Sequence, residues 1–393
     1  MVLDGHSAAA LSFTRSAGRA GHWVAVGANQ GLFAAAKLSR HCSVCFDHPI
    51  STDHAQSFAE AVLGFVRAQA IDLVIPATDW TLGPLSVHRE MFAGVCHLAL
   101  PSASALQFAS DKYRTIQMAR RLGIVVPRTQ LLESSRKTEA IEDAGYPAIV
   151  KDRFSVRWSG DKAIFGLVAY AHSRNELESR VSERLRAAGE VLVQEFVPGV
   201  GIGFSCFIAA GEIFLPFQWE RIREVDPRGS ASSARKSISL DEHTVALSGR
   251  LLAEIGFEGI AMVEYKKMED GKMILMEING RPWGSLALPV ACGIDYPRYL
   301  IDWNLQGKLP PKDIPYKSNI VCRRTVGELT HLANLRVAKP DNWPSSYPNF
   351  WKSLAQMAIP WQPGMRYDDL WLSDLRPGIA GIANWFRVRM KSK

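Results

Sequence analysis

Over the first hundred residues the apolar positions fall into two textures that take turns. Short, nearly continuous apolar runs, "MVLDG" (1–5), "HWVAVGA" (22–28) and "IDLVIPA" (71–77), read as strands covered on both faces. The stretches between them, "HSAAALSFTRSAGRAG" (6–21) and "DHAQSFAEAVLGFVRAQA" (53–70), space their apolar residues as helices do. Strand and helix in alternation predict a parallel α/β sheet. The turn "GANQG" (27–31) follows a strand, but no GxGxxG accompanies it, so nothing here points to a dinucleotide.

At residue 101 the pattern changes. "PSASALQFASDKYRTIQMARRLGIVVPRTQ" (101–130) has a Ser-Asp cap before a helix, Gly123 as its stop and Pro127 beyond. "YPAIVK" (146–151) is a strand ending in a lysine. "SRNELESRVSERLRAAG" (173–189) is a charged helix, "EVLVQEFVPG" (190–199) a strand running into a turn, and "FSCFIAAGEIFLPFQWERI" (204–222) two strands around "AAGE". A helix is predicted over 241–256.

"IAMVEYKKMEDGKMILMEING" (260–280) sets two alternating runs on either side of Asp270-Gly271, a strong hairpin signal because a type I′ turn needs positive φ at both central residues. Such a turn pairs Glu269 with Lys272 and Tyr265 with Met276, and brings Glu264 opposite Glu277. Asn279 lies two residues on, on the same face. The opposite face then carries Ala261, Val263 and Tyr265 against Ile274, Met276 and Ile278. Two acids facing each other repel. A salt bridge to nearby lysines or a shared proton would relieve this. A divalent cation, held by two carboxylates and an amide together with nucleotide phosphates, accounts for the pattern better.

Composition narrows the class. The chain has 393 residues, enough for two to four packed units. No apolar run approaches the ~20 residues that span a membrane. The N-terminus lacks a basic segment before an apolar core and reads as part of the fold. Cys42 and Cys45 form a CxxC with no second half of a zinc site, and the six cysteines fit a reducing, cytoplasmic setting. The net charge of +7 suits an anionic ligand, and no basic tract with interleaved aromatics points to nucleic acid. From about residue 311 prolines and tryptophans crowd in. The last stretch, "GIAGIANWFRVRMKSK" (378–393), reads as an amphipathic helix with a basic end, packed on its own protein or, alternatively, touching a membrane surface or a partner.

"DKYRT" (111–115), "YPAIVK", "VLVQEFVPG" (191–199), "VEYK" (263–266) and "MEINGRPWGS" (276–285), in this order and spacing, resemble the ATP-grasp superfamily. The likeness is greatest to its carbamoyl-phosphate-synthetase-like and carboxylate–amine ligase branch, and covers roughly residues 1–305. It implies an α/β and α+β chain. A Rossmann-like pre-ATP-grasp domain would occupy 1–110, a small nucleotide lobe 111–190, a metal-binding lobe 191–310 and a C-terminal extension 311–393. By the same resemblance Lys112 and Lys151 touch phosphates. Gln194, Glu195, Phe196 and Val197 form the hinge that meets adenine. Glu264, Glu277 and Asn279 hold Mg²⁺, with Mn²⁺ as the alternative ion, and Arg281 faces the transferred phosphoryl group.

The basic segment "WERIREVDPRGSASSARKSI" (219–238) is a solvated loop or a loop over the site; in the second case Arg221 and Arg223 take a carboxylate or phosphoryl oxygens, with Arg235 a weaker candidate. Two departures stand out. The phosphate loop, "DRFSVRWSGDKAIFG" (152–166), has only Gly160 and Gly166, so Arg153, Arg157 and Lys162 are the alternative source of positive field. "VGIGFS" (200–205) stands where relatives place an acid near the ribose. The implied activity is ATP-dependent activation of a small carboxylic acid as an acyl phosphate, then condensation with an amine, amino-acid-like by resemblance. The alternatives are a phosphotransferase of the same fold and a nucleotide-binding scaffold without turnover.

Overall fold

The computed structural model describes residues 1–134, 144–336, 343 and 347–391. The first hundred residues form a Rossmann-like parallel unit. Its helices are α1 (Ala8–Arg19), α2 (Ala55–Ala68) and α3 (Asp79–Val87), and its strands β1 (Ala25–Asn29), β2 (Val44–His48), β3 (Leu73–Val74) and β4 (His97–Leu98). β1 pairs with β2 and β3 with β4, all parallel. "MVLDG" does not make a full strand. Val2 alone bridges Val26 on one side and Ile75 on the other, and stitches the two pairs together. The chain leaves the sheet at Asp4, whose φ of 57° no strand adopts. β2 was not read in the sequence, because its side chains are mostly half-buried or exposed at a sheet edge.

Next come α4 (Ala103–Ser110), α5 (Lys112–Arg121), β5 (Thr129–Glu133), β6 (Ala148–Lys151), β7 (Val156–Ser159), β8 (Lys162–Phe165), β9 (Val168–Ala171), α6 (Arg174–Ala188) and β10 (Glu190–Glu195). β5, β10, β6 and β9 make an antiparallel sheet in that order. Leu132, Val150 and Val193 of this sheet pack on Leu177 and Val181 of α6. β7 and β8 stand apart as a hairpin of their own.

The largest sheet is built from β11 (Val200–Ala209), β12 (Glu212–Glu224), β13 (Ser232–Ile238), β14 (Gly259–Lys267), β15 (Met273–Asn279), β16 (Val321–Arg323) and β17 (Met365–Tyr367). Its order is β15-β14-β11-β12-β13-β16-β17. α7 (Glu242–Glu254) covers one face, where Phe204, Val263 and Leu252 meet. The other face packs Phe207, Phe217 and Met262 against Phe13 of α1 and against α8 (Ala287–Ala291) and α9 (Tyr296–Gln306). The C-terminal residues therefore finish this sheet. α10 (Thr325–Asn334), α11 (Phe350–Met357) and α12 (Arg376–Lys391) accompany the last two strands. Arg15 of α1, fully buried, ties them down: its guanidinium donates to Asp374 at 2.8 Å and to the Asp368 carbonyl at 2.6 Å.

The β14–β15 connection corrects the expected turn. Gly271 has φ 86°, but Asp270 lacks the positive φ of a type I′ turn, and its carboxylate accepts from the Lys272 N–H at 2.9 Å instead. The five residues 268–272 form the loop. The register accordingly pairs Tyr265 with Leu275, and a bulge then restores Glu264 opposite Glu277. The bulge takes up Met276, which stays half-buried, so β15 buries Ile274, Leu275 and Ile278, the last two in this core.

Candidate active site

Glu264 and Glu277 face each other on adjacent strands, and the Asn279 amide lies 3.4 Å from a Glu277 oxygen. The repulsion expected of this pair is offset by a cation, an arginine rather than a lysine. Arg221 ion-pairs with Glu264 and also reaches Glu224 at 3.0 Å and the Ser230 carbonyl at 2.8 Å. It gets there because β11 offers glycines at 201 and 203. A Cβ at 201 would lie 2.6 Å from Arg221 Cδ, and one at 203 would collide with the Trp219 indole. The "VGIGFS" stretch thus makes room for Arg221 and Trp219 to lie across the strand. Burial pushes the Glu264 carboxyl above the ordinary range, Arg221 pulls it back, and Glu277 adds to the rise.

A cavity of about 480 Å³ opens beside the two acids. Glu277, Asn279 and Arg281 form one wall, Lys112 another, and residues 154–158 the roof. Arg281 Nε donates to Asp79 at 2.7 Å. Asp79 begins α3, and the loop before it hangs on Asp4. The buried Asp4 carboxylate accepts from the Ala77 and Thr78 N–H groups at 3.1 and 2.8 Å and from the Thr81 hydroxyl at 2.6 Å. Lys112 opens α5, where Asp111 caps the helix by accepting from Tyr113 and Arg114 N–H, both at 3.1 Å. The Lys112 ammonium reaches Ser155 at 2.7 Å, and burial lowers its pKa against the pull of Glu277 and Asp79. Lys151 donates to the Gln194 side-chain oxygen at 2.8 Å. Burial, helped by Lys112, lowers its pKa to about 8.

The glycine-poor roof is tied to the N-terminal unit. Trp158 lies against Gly83 of α3, where a Cβ would collide with the indole. At the tip of the β7–β8 hairpin, the Asp161 carboxylate accepts from Gln56 N–H at 2.6 Å and its carbonyl from Ala55 N–H at 3.1 Å. Asp161 thereby caps α2, whose own N-cap, His54, makes no side-chain bond. Arg153 is spent inside the lobe on Asp111 (2.7 Å) and Glu190 (3.0 Å).

The structure brings Lys112, Glu277, Asn279 and Arg281 to one cavity, with Glu264 and Arg221 adjoining. It does not bring Arg223 there. That side chain makes a two-pronged pair with Glu328 (3.0 and 2.7 Å), which also holds Arg323 and Ser233. Arg235 is fully buried on Asp368. Gln194 orients Lys151 through its side chain and donates to the Thr129 hydroxyl at 2.7 Å. Glu195 pairs with Arg128 at 2.7 Å, Val197 is buried, and Phe196 stands edge-on to Trp343 at 5.4 Å. Asp79, Asp4, Ser155, Trp158 and Asp161 were not read from sequence. Their roles depend on contacts between residues far apart in the chain. Among the described residues no three His, Cys, Asp or Glu side chains converge as a metal cage. Two carboxylates and an amide are nevertheless the hard oxygen donors that Mg²⁺ takes when phosphates supply the rest.

A family model described as "ATP-grasp in the biosynthetic pathway with Ter operon" matches residues 188–326. A probable alpha-L-glutamate ligase of Maridesulfovibrio salexigens is 26% identical over 259 residues, 63% of this chain and 80% of that protein. Among solved structures, an L-amino acid ligase from Bacillus licheniformis superposes with a TM-score of 0.59 at 16% identity, over 79% of this chain and 76% of that one. The biotin carboxylase domain of the Hydrogenobacter thermophilus 2-oxoglutarate carboxylase, solved with MgADP and bicarbonate, superposes with a TM-score of 0.64 at 14% identity, over 81% and 72%.

Proposed function

We propose that this chain is an ATP-grasp protein, an ADP-forming ligase that activates a small-molecule carboxylate with ATP and joins it to an amine. The observation that carries the reading is the convergence of Lys112, Glu277, Asn279 and Arg281 on one cavity beside Glu264. Glu264, Glu277 and Asn279 would hold Mg²⁺, which supplies charge neutralisation for the phosphate oxygens. Lys112 and Lys151 give point charges for those oxygens. Arg281, fixed by Asp79, faces the phosphoryl group in flight, and Arg221 leaves Glu264 to meet the substrate's anionic end. The roof, tied to α2 through Asp161 and to α3 through Trp158, covers one side of the cavity.

The chemistry needs no protein nucleophile. A substrate carboxylate oxygen attacks the γ-phosphorus and the bond to ADP breaks. The amine then attacks the acyl carbon, loses a proton, and inorganic phosphate leaves. Positioning and charge carry the rate. All six cysteines are free thiols, which suits a cytoplasmic location. Among the described residues no helix is long and apolar enough to cross a membrane.

The test is ADP release from Mg-ATP against pools of amino acids and other small carboxylic acids, with Glu277→Ala alongside and mass spectra of the active pools. Substrate-dependent ADP release lost in the variant, with a product lighter by one water than its two parts, is expected. A phosphorylated product instead would make the chain a phosphotransferase. Mg-ATP binding with no release in any pool would favour a nucleotide-binding scaffold, and no Mg-ATP binding would overturn this reading of the site.

A further inference from the structure

Helix α12 wears its large apolar residues on the outside. Its inward side is made of small residues: Pro377 and Gly378 are buried, a Cβ at Gly378 would collide with Leu370, and one at Gly381 would lie 3.6 Å from Val326 of α10. Trp385 also turns inward, and its indole N–H donates to the Thr330 hydroxyl at 3.0 Å. The outward side carries Ile379, Phe386 and Met390, which are 58%, 49% and 71% exposed. Ala383 is exposed between them, and Leu375 is exposed one turn before. Along 375, 379, 383, 386 and 390 each position follows the last by three or four residues, so these side chains line up as one stripe. A helix that serves only its own core does the reverse, with its apolar face inward and its polar face in water.

Charge says what covers the stripe. Helical spacing puts Arg376 and Arg387 along one border and Arg389 along the other, with Lys391 at the end. The helix holds no Asp or Glu. Arg387 donates to Asn384 at 2.7 Å and Arg389 lies 4.5 Å over the Trp385 ring, both neutral partners. Two copies joined through this face would set cation against cation in either orientation, which costs affinity. The covering surface must therefore be apolar and anionic together. A protein partner would need a matching acidic groove, whereas the boundary between headgroups and acyl chains of an anionic bilayer takes a basic-edged apolar ridge as it is. We propose that α12 lies in the plane of a membrane surface rich in anionic phospholipids, its stripe among the upper acyl carbons and its arginines at the phosphates. It lies on the bilayer and does not cross it: its 16 residues reach about 24 Å, short of a ~30 Å hydrocarbon core. This inference does not depend on the ligase reading.

Co-sedimentation of the full chain with vesicles tests it, using phosphatidylglycerol mixed with phosphatidylcholine beside phosphatidylcholine alone. Partitioning should be at least tenfold stronger onto the anionic vesicles and should fall when salt is raised to screen the charges. Phe386→Ser combined with Met390→Ser, both at exposed positions, should weaken it at least tenfold. Arg387→Glu combined with Arg389→Glu, which leaves the stripe intact, should weaken it as much. Glu277→Ala should partition as the wild type does, so the result stands whether or not the ligase assay succeeds. Circular dichroism checks that each variant is folded; if the glutamate pair disturbs the Trp385 contact and the fold, the serine pair decides. No partitioning onto anionic vesicles overturns the proposal and leaves the face to an acidic protein groove. Equal partitioning by the serine pair overturns it too. A dimer in gel filtration that the serine pair dissolves would give the face to a second copy and overturn it as well.

Discussion

Burial holds the Lys151 ammonium near a pKa of about 8, against an ordinary 10.5, and the proposed function sets that ammonium against phosphate oxygens. Two effects of opposite sign follow. As pH rises through about 8, free enzyme loses this charge, so kcat/KM for ATP should fall, approaching tenfold per unit well above that pH. The folded pKa lies below the unfolded one, so folding stability is penalised below about 8 and should rise between about 8 and 10.5. Lys151→Arg keeps the charge and should flatten the kinetic fall. Parallel pH profiles of kcat/KM and of urea midpoint check this; a flat kcat/KM in the wild type would overturn it. At this scale the sequence was legible where chemistry repeats locally. Glu264, Glu277, Asn279 and Arg281 announced themselves by alternation and motif. Asp79 did not, because its partner Arg281 is 202 residues away.

Elements were legible when long and periodic. Helices α2, α6 and α7 lie where they were expected, and the hairpin β14–β15 was found. Its turn was misread, yet the acids still met. The longer loop slips the pairing by one residue, and the bulge at Met276 slips it back. Strands β4, β16 and β17, two or three residues long, carry no period and depend on neighbours that the local sequence does not reveal. The β7–β8 hairpin has its own consequence. A capping carboxylate is worth about 1 kcal/mol, so Asp161→Ala should loosen the tip by roughly fivefold in opening equilibrium. Amide hydrogen exchange over 156–165 should speed by that factor while the rest of the chain is unchanged. Unaltered protection there would mean that Trp158 alone holds the roof.

At the scale of the whole molecule, the seven-stranded sheet joins segments far apart in the chain. The C-terminal extension, set apart in the sequence by its prolines and tryptophans, supplies two of the seven strands and the site of Arg15's burial. Composition marked the change at residue 311 but could not show that the chain returns to a sheet begun at residue 200, since strand order is a property of contacts. Arg15 and Asp374 are separated by 359 positions. Seen from the ribosome, this is a schedule. The chain makes the guanidinium 359 residues before the carboxylate that accepts it. β13 waits with an open edge until residues 321–323 and 365–367 have emerged. A chain ending at residue 310 should therefore leave a buried charge unpaired and a strand edge bare, conditions that favour unfolding and aggregation. Gel filtration and circular dichroism of residues 1–310 would show it. A compact, soluble monomer would mean that this sheet folds without its last two strands.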